Sequence, residues 1–422
     1  MSDAPHAPVS RLQRDMLDFA HGPGDGSDML VIRWAHRLLG PLDPAALRTA
    51  LADVVQRHTV LRSAFLPAAD GAGYRAEVHA RVPSPLTVTD VRRLPPDARE
   101  AAWRRALRTI APLSPRTPPH LRATLLVESG TEARLLLEAY HPAFDGWSQA
   151  VVDEELAVAY AAACAGRRPS PWEPDDFGTA AAAEARLAGS AELARAAGHW
   201  STVLRDLPAA NRQPPVGDLT ASEARVALEK PDFHQIVLAA ARNRVRPSTV
   251  CLTAWLRTLS DAVGSADVAV AMPVALRDDE ALGDAVGPYV NQVLVRAVPG
   301  GPDDVKAVLR RVDSAFWTSW RHRAVPYQTV LEALGSDFRY RFRFGYHEGG
   351  GDGPWDATGV STVPLDVPVD TTLRRDAALE LTHTAGAASG VVLCRDGGLP
   401  GWSAGRLAAA FTAHVTRLTD PA

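Results

Sequence analysis

Apolar positions in the first third of the chain predict a strand, a helix and a hairpin. Residues 29–39 form a mostly apolar run suited to a strand, and the segment that begins at Asp43 repeats apolar residues at helical spacing. Asp43 can accept hydrogen bonds from the free N–H groups of a first turn, and Pro44 fits that turn. Apolar runs at 121–128 and 133–140, separated by the sequence SGTE, predict a hairpin of at least half-buried strands.

The rest of the chain mixes helical and strand patterns without a fixed-period repeat. Helices are predicted at residues 10–19, 148–165, 179–207, 232–244, 247–263, 302–319, 326–334 and 404–418. Strands are predicted at residues 267–274, 289–298, 338–346, 377–383 and 389–395. Such mixing predicts the α/β (α+β) fold class.

A stretch rich in proline and charge, residues 167–178, has the composition of a linker. We therefore predict a boundary there, with one domain over residues 1–170 and a second over residues 171–422. The length agrees with this division, because 422 residues with 46% hydrophobic and 22% charged side chains suffice for two or three core-sized units.

Charge and cysteine content argue against several classes of protein. The 45 Lys and Arg residues against 49 Asp and Glu give a net charge of −4, so no basic surface dominates as it does in proteins that bind nucleic acid. Cys164, Cys251 and Cys394 are widely spaced and form no CxxC pair, which argues against a zinc or dithiol site and for a reducing, cytoplasmic setting. No run approaches the roughly 18 apolar residues of a membrane span, and we expect neither export nor membrane anchoring.

Three glycine-containing motifs lack the context that their chemistry needs. The sequence GWSAG at 401–405 matches GxSxG, but turn residues rather than a strand precede it, so Ser403 is predicted to cap the last helix. HGPGDG at 21–26 and EGGGDG at 348–353 lack the GK[ST] of a phosphate-binding loop. The sequence shows no HExxH, EF-hand spacing or His/Cys cluster, so no metal is predicted.

The segment AYHPAFDGWS, residues 139–148, carries the strongest candidate chemistry. His141 ends an apolar strand, and Asp145 follows four residues later. An imidazole has an unperturbed pKa near 6.5, so it can take or give a proton at neutral pH, and a buried aspartate needs a cationic or hydrogen-bonding partner. Taken alone, HxxxDG is more typical of a solvated turn with an ordinary histidine than of a catalytic site.

Five further segments match motifs of one family in the same order along the chain. They are PVSRLQRDML (8–17), RHTVLRSAF (57–65), APLSPRTPPHLRATLL (111–126), MPVALRDDEALGDAVGPYVNQVLVR (272–296) and HRAVPYQTVLEAL (322–334). Together with HPAFDGW, they resemble condensation domains of nonribosomal peptide synthetases, whose signature is HHxxxDG. These domains belong to the acyltransferase superfamily that includes chloramphenicol acetyltransferase. The resemblance covers almost the whole chain.

The resemblance implies a fold and three central residues. The expected fold has two chloramphenicol-acetyltransferase-like lobes arranged in a V, with the active site in a tunnel between them. His141 matches the second, catalytic histidine of the motif, and Asp145 matches its structural aspartate. Arg277 matches the arginine of the TPVxxR segment, and the resemblance implies that it pairs with Asp145 across the lobes.

Four other residues are assigned supporting roles by the same resemblance. Gly146 matches the tight turn of the motif, while Trp147, Ser148 and Asn291 match positions along the substrate tunnel. Without the resemblance, Trp147 is more typical of a core position, Asn291 of a structural asparagine and Arg277 of a solvated turn.

Two departures from the family pattern are present. Tyr140 stands where the family has its first histidine; because successive side chains of a strand point to opposite faces, we take it to support the site rather than the chemistry. Gln292 replaces the threonine that follows the asparagine, and the segment at 338–346 matches the late arginine motif only loosely. Activity is therefore expected, with a preference for donor or acceptor that can differ from the common pattern.

The function implied by the resemblance is that of a stand-alone condensation enzyme in nonribosomal peptide or related natural-product biosynthesis. It would join an acyl thioester, carried on the phosphopantetheine arm of a separate carrier protein, to an amine or alcohol and form an amide or ester. No bound cofactor, metal, nucleic acid or membrane is expected. Two alternatives stay open, namely a catalytically silent docking module and a coenzyme A-dependent acyltransferase of the same superfamily.

Overall fold

The computed structural model describes residues 6–20, 30–68, 71, 73–109, 113–168, 175, 177–214, 220–278, 282–300, 304–348, 358–368, 375–384 and 386–420. The predicted linker at 167–178 lies largely outside these residues, as do residues 21–26 and 349–353 of the two glycine-rich motifs.

Eleven α-helices and fourteen strands lie in the described part of the chain. The helices are α1 (Arg11–Ala20), α2 (Pro44–Arg57), α3 (Pro96–Arg108), α4 (Gly146–Cys164), α5 (Phe177–Ala185), α6 (Ala191–Leu204), α7 (Lys230–Asn243), α8 (Pro247–Val263), α9 (Val305–Trp320), α10 (Tyr327–Ala333) and α11 (Ala404–Thr419). The strands are β1 (His6–Pro8), β2 (Val31–Leu39), β3 (Ser63–Pro67), β4 (Tyr74–Val78), β5 (Leu86–Asp90), β6 (Leu121–Val127), β7 (Glu132–Tyr140), β8 (Ala221–Leu228), β9 (Val268–Ala275), β10 (Val290–Ala297), β11 (Phe342–Glu348), β12 (Ser361–Leu365), β13 (Ala377–Thr384) and β14 (Ala387–Arg395).

Residue contacts divide the chain into two compact units. The first comprises Met1–Arg186, Arg277–Tyr289 and Gly353–Val369, and the second comprises the three intervening stretches, Leu187–Leu276, Val290–Asp352 and Asp370–Ala422. This division differs from the predicted one at residue 170, because two segments from late in the chain join the N-terminal unit.

The first unit contains a five-stranded sheet in the order β12-β2-β7-β6-β5 and a three-stranded sheet in the order β1-β4-β3. Strand β7 lies inside the larger sheet and pairs antiparallel with both β2 and β6. Its last residue, Tyr140, pairs with Val31, so the chain that follows β7 leaves from the interior of the sheet. Helices α2 and α4 pack against each other in the same unit.

The second unit contains a six-stranded sheet in the order β10-β9-β11-β13-β14-β8. Alternate side chains of its strands form a core with α7, α8, α9 and α11, and the other face carries a smaller cluster with α6 and α10. Helix α8 is buried around most of its circumference, begins with Pro247 and ends at Gly264, which takes the left-handed conformation with φ 64°.

The α/β prediction is confirmed, and elements with local capping signals agree best with their predicted bounds. Asp43 caps α2 through the N–H groups of Ala45 and Ala46, and Ser403 caps α11 through Arg406. The predicted hairpin is the antiparallel pair β6 and β7. The single helix predicted at 179–207 is wrong, because Gly189 takes a φ of 73° and the next residue caps a new helix, α6.

Candidate active site

His141 stands at the start of a short 3₁₀ turn, His141–Ala143, directly after β7. Its Nδ1 lies 2.8 Å from the carbonyl oxygen of Phe144, in the same turn. A carbonyl oxygen can only accept a hydrogen bond, so Nδ1 carries a proton and the neutral ring has its lone pair on Nε2. The turn thus orients the ring and selects the tautomer with a basic Nε2.

Helix α1 anchors the same turn from outside the HxxxDG motif. Ser10 and Gln13 form a reciprocal capping pair: the backbone N–H of Ser10 donates to Oε1 of Gln13 at 2.9 Å, and the backbone N–H of Gln13 donates to the Ser10 hydroxyl at 3.2 Å. The amide Nε2 of Gln13 then donates to the carbonyl oxygen of Pro142 at 2.8 Å. Gln13 was not singled out from the sequence, although the SxxQ spacing already carries the capping signal.

Asp145 is the N-cap of α4 and is 4% exposed. Its Oδ1 accepts from the backbone N–H of Ser148 at 2.8 Å and from the Ser148 hydroxyl at 2.7 Å. The Ser148 hydroxyl in turn accepts from the N–H of Gly287 at 3.1 Å. Ser148 is fully buried and links α4 to the distant segment of Gly287, and its assignment to the tunnel stays a prediction.

Arg277 pairs with Asp145, with 3.1 Å between Nη2 and Oδ1 and 2% exposure of the arginine side chain. Its Nη1 donates to the carbonyl oxygens of Leu282 and Ala285, each at 2.6 Å. The guanidinium also lies 4.7 Å from the centre of the Tyr289 ring. The pair was expected to join two lobes, but Arg277 belongs to the same compact unit as Asp145, so it joins two segments of one unit.

Trp147 is the side chain at this turn that is most exposed, at 52%. Its indole Nε1 donates to the carbonyl oxygen of Gly283 at 2.9 Å, and its ring lies 5.7 Å from the Arg277 guanidinium. The interpretation of Trp147 as a core residue is therefore wrong. Its position as a substrate contact stays a prediction.

Gly146 has no steric reason to be glycine within the described residues. Its φ is not in the left-handed region, and a methyl group on its Cα would meet no described atom within 4 Å other than those of its chain neighbours and the nearby backbone of α4. This differs from the tight turn that the resemblance implied. Because a glycine also allows a ligand to approach the backbone closely, the open position beside His141 is typical of a binding surface.

Tyr140, the last residue of β7, is fully buried. Its ring centre lies 5.2 Å from that of His120 and 6.4 Å from that of Phe65. The Tyr140 hydroxyl has no hydrogen-bond partner among the described residues, and burial raises the pKa of its phenol. Burial also lowers the pKa of His120 to about 4, so this neighbouring imidazole is neutral at pH 7.

Asn291 lies in the second unit and is 6% exposed. Its Nδ2 donates to the carbonyl oxygens of Arg323 and Val325 at 2.6 and 2.7 Å, and its Oδ1 accepts from the N–H of Tyr327 at 3.1 Å. Both polar atoms of this side chain thus bond to the backbone of the segment that leads into α10. Its assignment to the tunnel stays a prediction, as does the effect of Gln292 beside it.

The described residues contain no group of three or more His, Cys, Asp or Glu side chains that could hold a metal ion. Within the same part of the chain, no helix combines the length and apolar character needed to cross a membrane.

Comparison with known proteins adds a family and a fold. The family model for the condensation domain matches residues 4–339. The chain is 32% identical over 350 residues to the isonitrile lipopeptide synthase of Mycobacterium tuberculosis, a match that covers 78% of this chain and 13% of that protein. The chain therefore spans about an eighth of this relative.

Two solved structures share the fold over nearly their full lengths. The first condensation domain of the CDA synthetase has a TM-score of 0.83 at 20% identity, covering 100% of this chain and 98% of that one. SgcC5 from Streptomyces globisporus has a TM-score of 0.79 at 22% identity, covering 98% of each chain.

Proposed function

This chain belongs to the condensation-domain family, and from that premise we propose that it transfers an acyl group from a carrier-bound thioester to an amine or alcohol. The donor is held on the phosphopantetheine arm of a carrier protein that is a separate polypeptide. The new bond is an amide or an ester, and the carrier leaves as a free thiol. The product belongs to nonribosomal peptide or related natural-product biosynthesis.

The observation that carries this proposal is the orientation of His141. Its Nδ1 proton is committed to the Phe144 carbonyl oxygen at 2.8 Å, so Nε2 is the basic atom. As the acceptor nitrogen or oxygen forms its bond to the thioester carbon, Nε2 takes the proton that the acceptor loses. That proton then passes to the departing sulfur as the carbon–sulfur bond breaks, and the neutral imidazole is restored.

Asp145 and Arg277 contribute to this reaction by holding the start of α4 in position. The Asp145 carboxylate is occupied by the Ser148 N–H, the Ser148 hydroxyl and the Arg277 guanidinium, so it orders the start of α4 next to His141. Positioning of reactants supplies much of the acceleration when the transfer itself is downhill, as it is for an amine and a thioester.

The open backbone at Gly146 supports approach of a substrate at this turn. Apart from its chain neighbours and the nearby backbone of α4, no described atom lies within 4 Å of the position that a Cβ would take, and the next residue, Trp147, is half exposed. A substrate bound beside His141 can therefore reach the helix start without displacing a side chain.

The deciding experiment compares donors. The same acyl group is offered on a carrier protein and on coenzyme A, with amines and alcohols as acceptors, and product is followed by mass spectrometry. We expect a higher specificity constant for the carrier-bound donor, because the carrier surface adds binding energy that places the thioester. The His141→Ala variant should lose the transfer, while the matched exposed histidine variant, His234→Ala, should keep it.

Two results would contradict the proposal. Equal or better use of acyl-coenzyme A would make the protein a coenzyme A-dependent acyltransferase. No transfer from any donor by folded protein, together with tight binding of a partner, would favour the silent docking module that the Tyr140 departure suggests.

A further inference from the structure

His58 lies at the end of α2 with no exposed surface, and both nitrogens of its ring face carboxylates. Nε2 is 2.9 Å from Oε2 of Glu155 on α4, and Nδ1 is 3.2 Å from Oδ2 of Asp175. A carboxylate is an acceptor only, so both ring nitrogens must donate and the ring is a doubly protonated imidazolium. His58 is thus a buried cation between two acidic groups.

The charges around His58 balance only when it is protonated. Glu155 also pairs with Arg57, which gives two cationic and two anionic side chains in one group, with His58 and Glu155 buried and Arg57 and Asp175 partly buried. Burial by itself lowers the pKa of His58, but hydrogen bonds and charge from Asp175 and Glu155 outweigh it, and the net pKa lies above the ordinary value.

Asp175 connects His58 to the segment that carries Arg277. The same Oδ2 atom that faces His58 accepts from the backbone N–H of Val286 at 2.9 Å. The next residue, Gly287, donates its own N–H to the hydroxyl of Ser148 at 3.1 Å. One carboxylate therefore fixes the backbone directly beside the contact that reaches Asp145.

The backbone of Asp175 is held by the chain on either side of His58. Its N–H donates to the carbonyl oxygen of Arg57 at 3.2 Å, and its carbonyl oxygen accepts from the N–H and the hydroxyl of Thr59 at 3.2 and 2.7 Å. The backbones around His58 and Asp175 are thus bonded to each other. Displacing the side chain of Asp175 breaks its bond to the imidazolium.

We propose that His58 is a positioning residue, which holds Asp175 against Val286 and thereby keeps the Arg277 segment in register with Asp145 and the His141 turn. The inference rests on the proposed acyl transfer for its catalytic consequence, but not for its structural one. His58 touches no reacting atom in this scheme and acts only through Asp175.

Loss of the His58 proton weakens the link at alkaline pH. A neutral ring has a single N–H, so it can donate to Glu155 or to Asp175 but not to both, and the lone pair of its other nitrogen then faces the remaining carboxylate. Because the folded pKa of His58 is raised, this stabilisation is complete below the ordinary histidine pKa and is lost as pH rises through the raised value.

The test is the variant His58→Gln, whose amide has no charge and cannot donate to both carboxylates in the same geometry. Hydrogen exchange of the Val286 and Gly287 amides, followed by NMR or by mass spectrometry of short peptides, should become at least about tenfold faster, since local opening sets their protection. In the unsubstituted protein, exchange of the same two amides should accelerate at alkaline pH by more than the intrinsic pH dependence of amide exchange. In the variant, it should follow the intrinsic pH dependence alone.

The matched control is His36→Gln. His36 is also buried and lies 3.1 Å from a carboxylate of α4, Asp153, but the described side-chain partners of that carboxylate are His36 and Trp34, and neither belongs to the Arg277 segment. Exchange at Val286 and Gly287 should stay within about twofold of the original protein in this control. Equal acceleration in both variants would overturn the proposal, because it would report general loosening of α4.

Kinetics give the second measurement. His58→Gln should lower kcat at least about tenfold with the KM values of donor and acceptor little changed, the pattern of lost positioning rather than lost binding. A KM effect alone, or unchanged exchange at both amides, would overturn the proposal. If no donor is used by the original protein, the proposed function fails while the exchange measurement still decides the role of His58.

A second variant covers failure of His58→Gln to fold. Asp175→Ala removes the acceptor of the Val286 N–H and leaves His58 with Glu155, and it should accelerate exchange at the same two amides. Unchanged protection of Val286 in folded Asp175→Ala would overturn the proposal.

Discussion

Two buried aspartates, Asp145 in the first unit and Asp376 in the second, are each held by arginine side chains in very different surroundings. Asp376 has no exposed surface and is contacted by Arg341, Arg395 and Gln213, with Gln213 Nε2 at 3.0 Å. Asp145 has one arginine, but His141 and the open Gly146 stand next to it. A buried Asp–Arg contact thus occurs in both units and does not by itself mark a reactive site. What distinguishes Asp145 is the histidine and the open glycine close to it in the chain.

Replacing His141 tests the reactive group without disturbing the Asp145–Arg277 ion pair. His141→Ala should lower turnover by about 10²–10⁴-fold, the usual contribution of a positioned acid or base, with an unchanged free energy of unfolding. Steady-state rates and urea denaturation of the same sample measure both. Turnover that stays within a few fold of the original protein would make Asp145 as purely structural as Asp376.

Removal of either aspartate should lower the free energy of unfolding for the same reason. Asp145→Ala and Asp376→Ala each leave a buried arginine without its partner, so each should lose about 3–5 kcal/mol of unfolding free energy or fail to fold. Denaturant titrations at pH 7 measure the loss. The two variants should differ in kcat per folded molecule, which falls only for Asp145→Ala; a matching fall for Asp376→Ala would remove the distinction between the two units.

Gly146 tests whether the open position matters. Gly146→Ala fills space that no described atom occupies, so we expect turnover to fall about tenfold or more while stability stays within about 0.5 kcal/mol. The matched control is Gly198→Ala, since Gly198 lies inside α6 of the second unit and is also open around its Cα. The control should gain about 0.5–1 kcal/mol of stability with no change in turnover. Equal turnover in both variants would show that no substrate passes Gly146.

Tyr140 should give the smallest effect. Tyr140→Phe removes a buried hydroxyl without a described partner, so stability should change by less than about 1 kcal/mol and can rise. Turnover should stay within about threefold of the original protein, because the ring is buried and packs against His120 and Phe65. A loss as large as that of His141→Ala would make Tyr140 a partner in the chemistry.

The elements that the sequence predicted well are those whose signals are local. Helix α2 carries its own N-cap at Asp43, α8 begins at Pro247 and stops at Gly264, and the hairpin of β6 and β7 joins neighbours in the chain. Each signal acts within a few residues, so no distant partner is needed to recognise it.

The elements that the sequence missed depend on distant partners or on few buried side chains. Strand β12 pairs with β2, more than 300 positions away, and β8 pairs with β14, more than 150 positions away. Helix α3 buries Trp103 alone among its thirteen residues, so its apolar periodicity is weak. Strands β12 and β8 therefore depend on hydrogen bonds to a strand far away in the chain, and α3 carries little apolar periodicity by which it could be predicted.

For the candidate site, the sequence by itself determined the order of the motifs and the place of HxxxDG between a strand and a helix, because both are read along the chain without any distant contact. Tertiary structure alone decided that Arg277 belongs to the unit of Asp145, that Gln13 bonds the carbonyl oxygen of Pro142, and that His58 reaches Val286 through Asp175. The physical reason is that these contacts join segments more than 100 positions apart, so they form only when packing of the whole unit repays the entropy of closing such long loops.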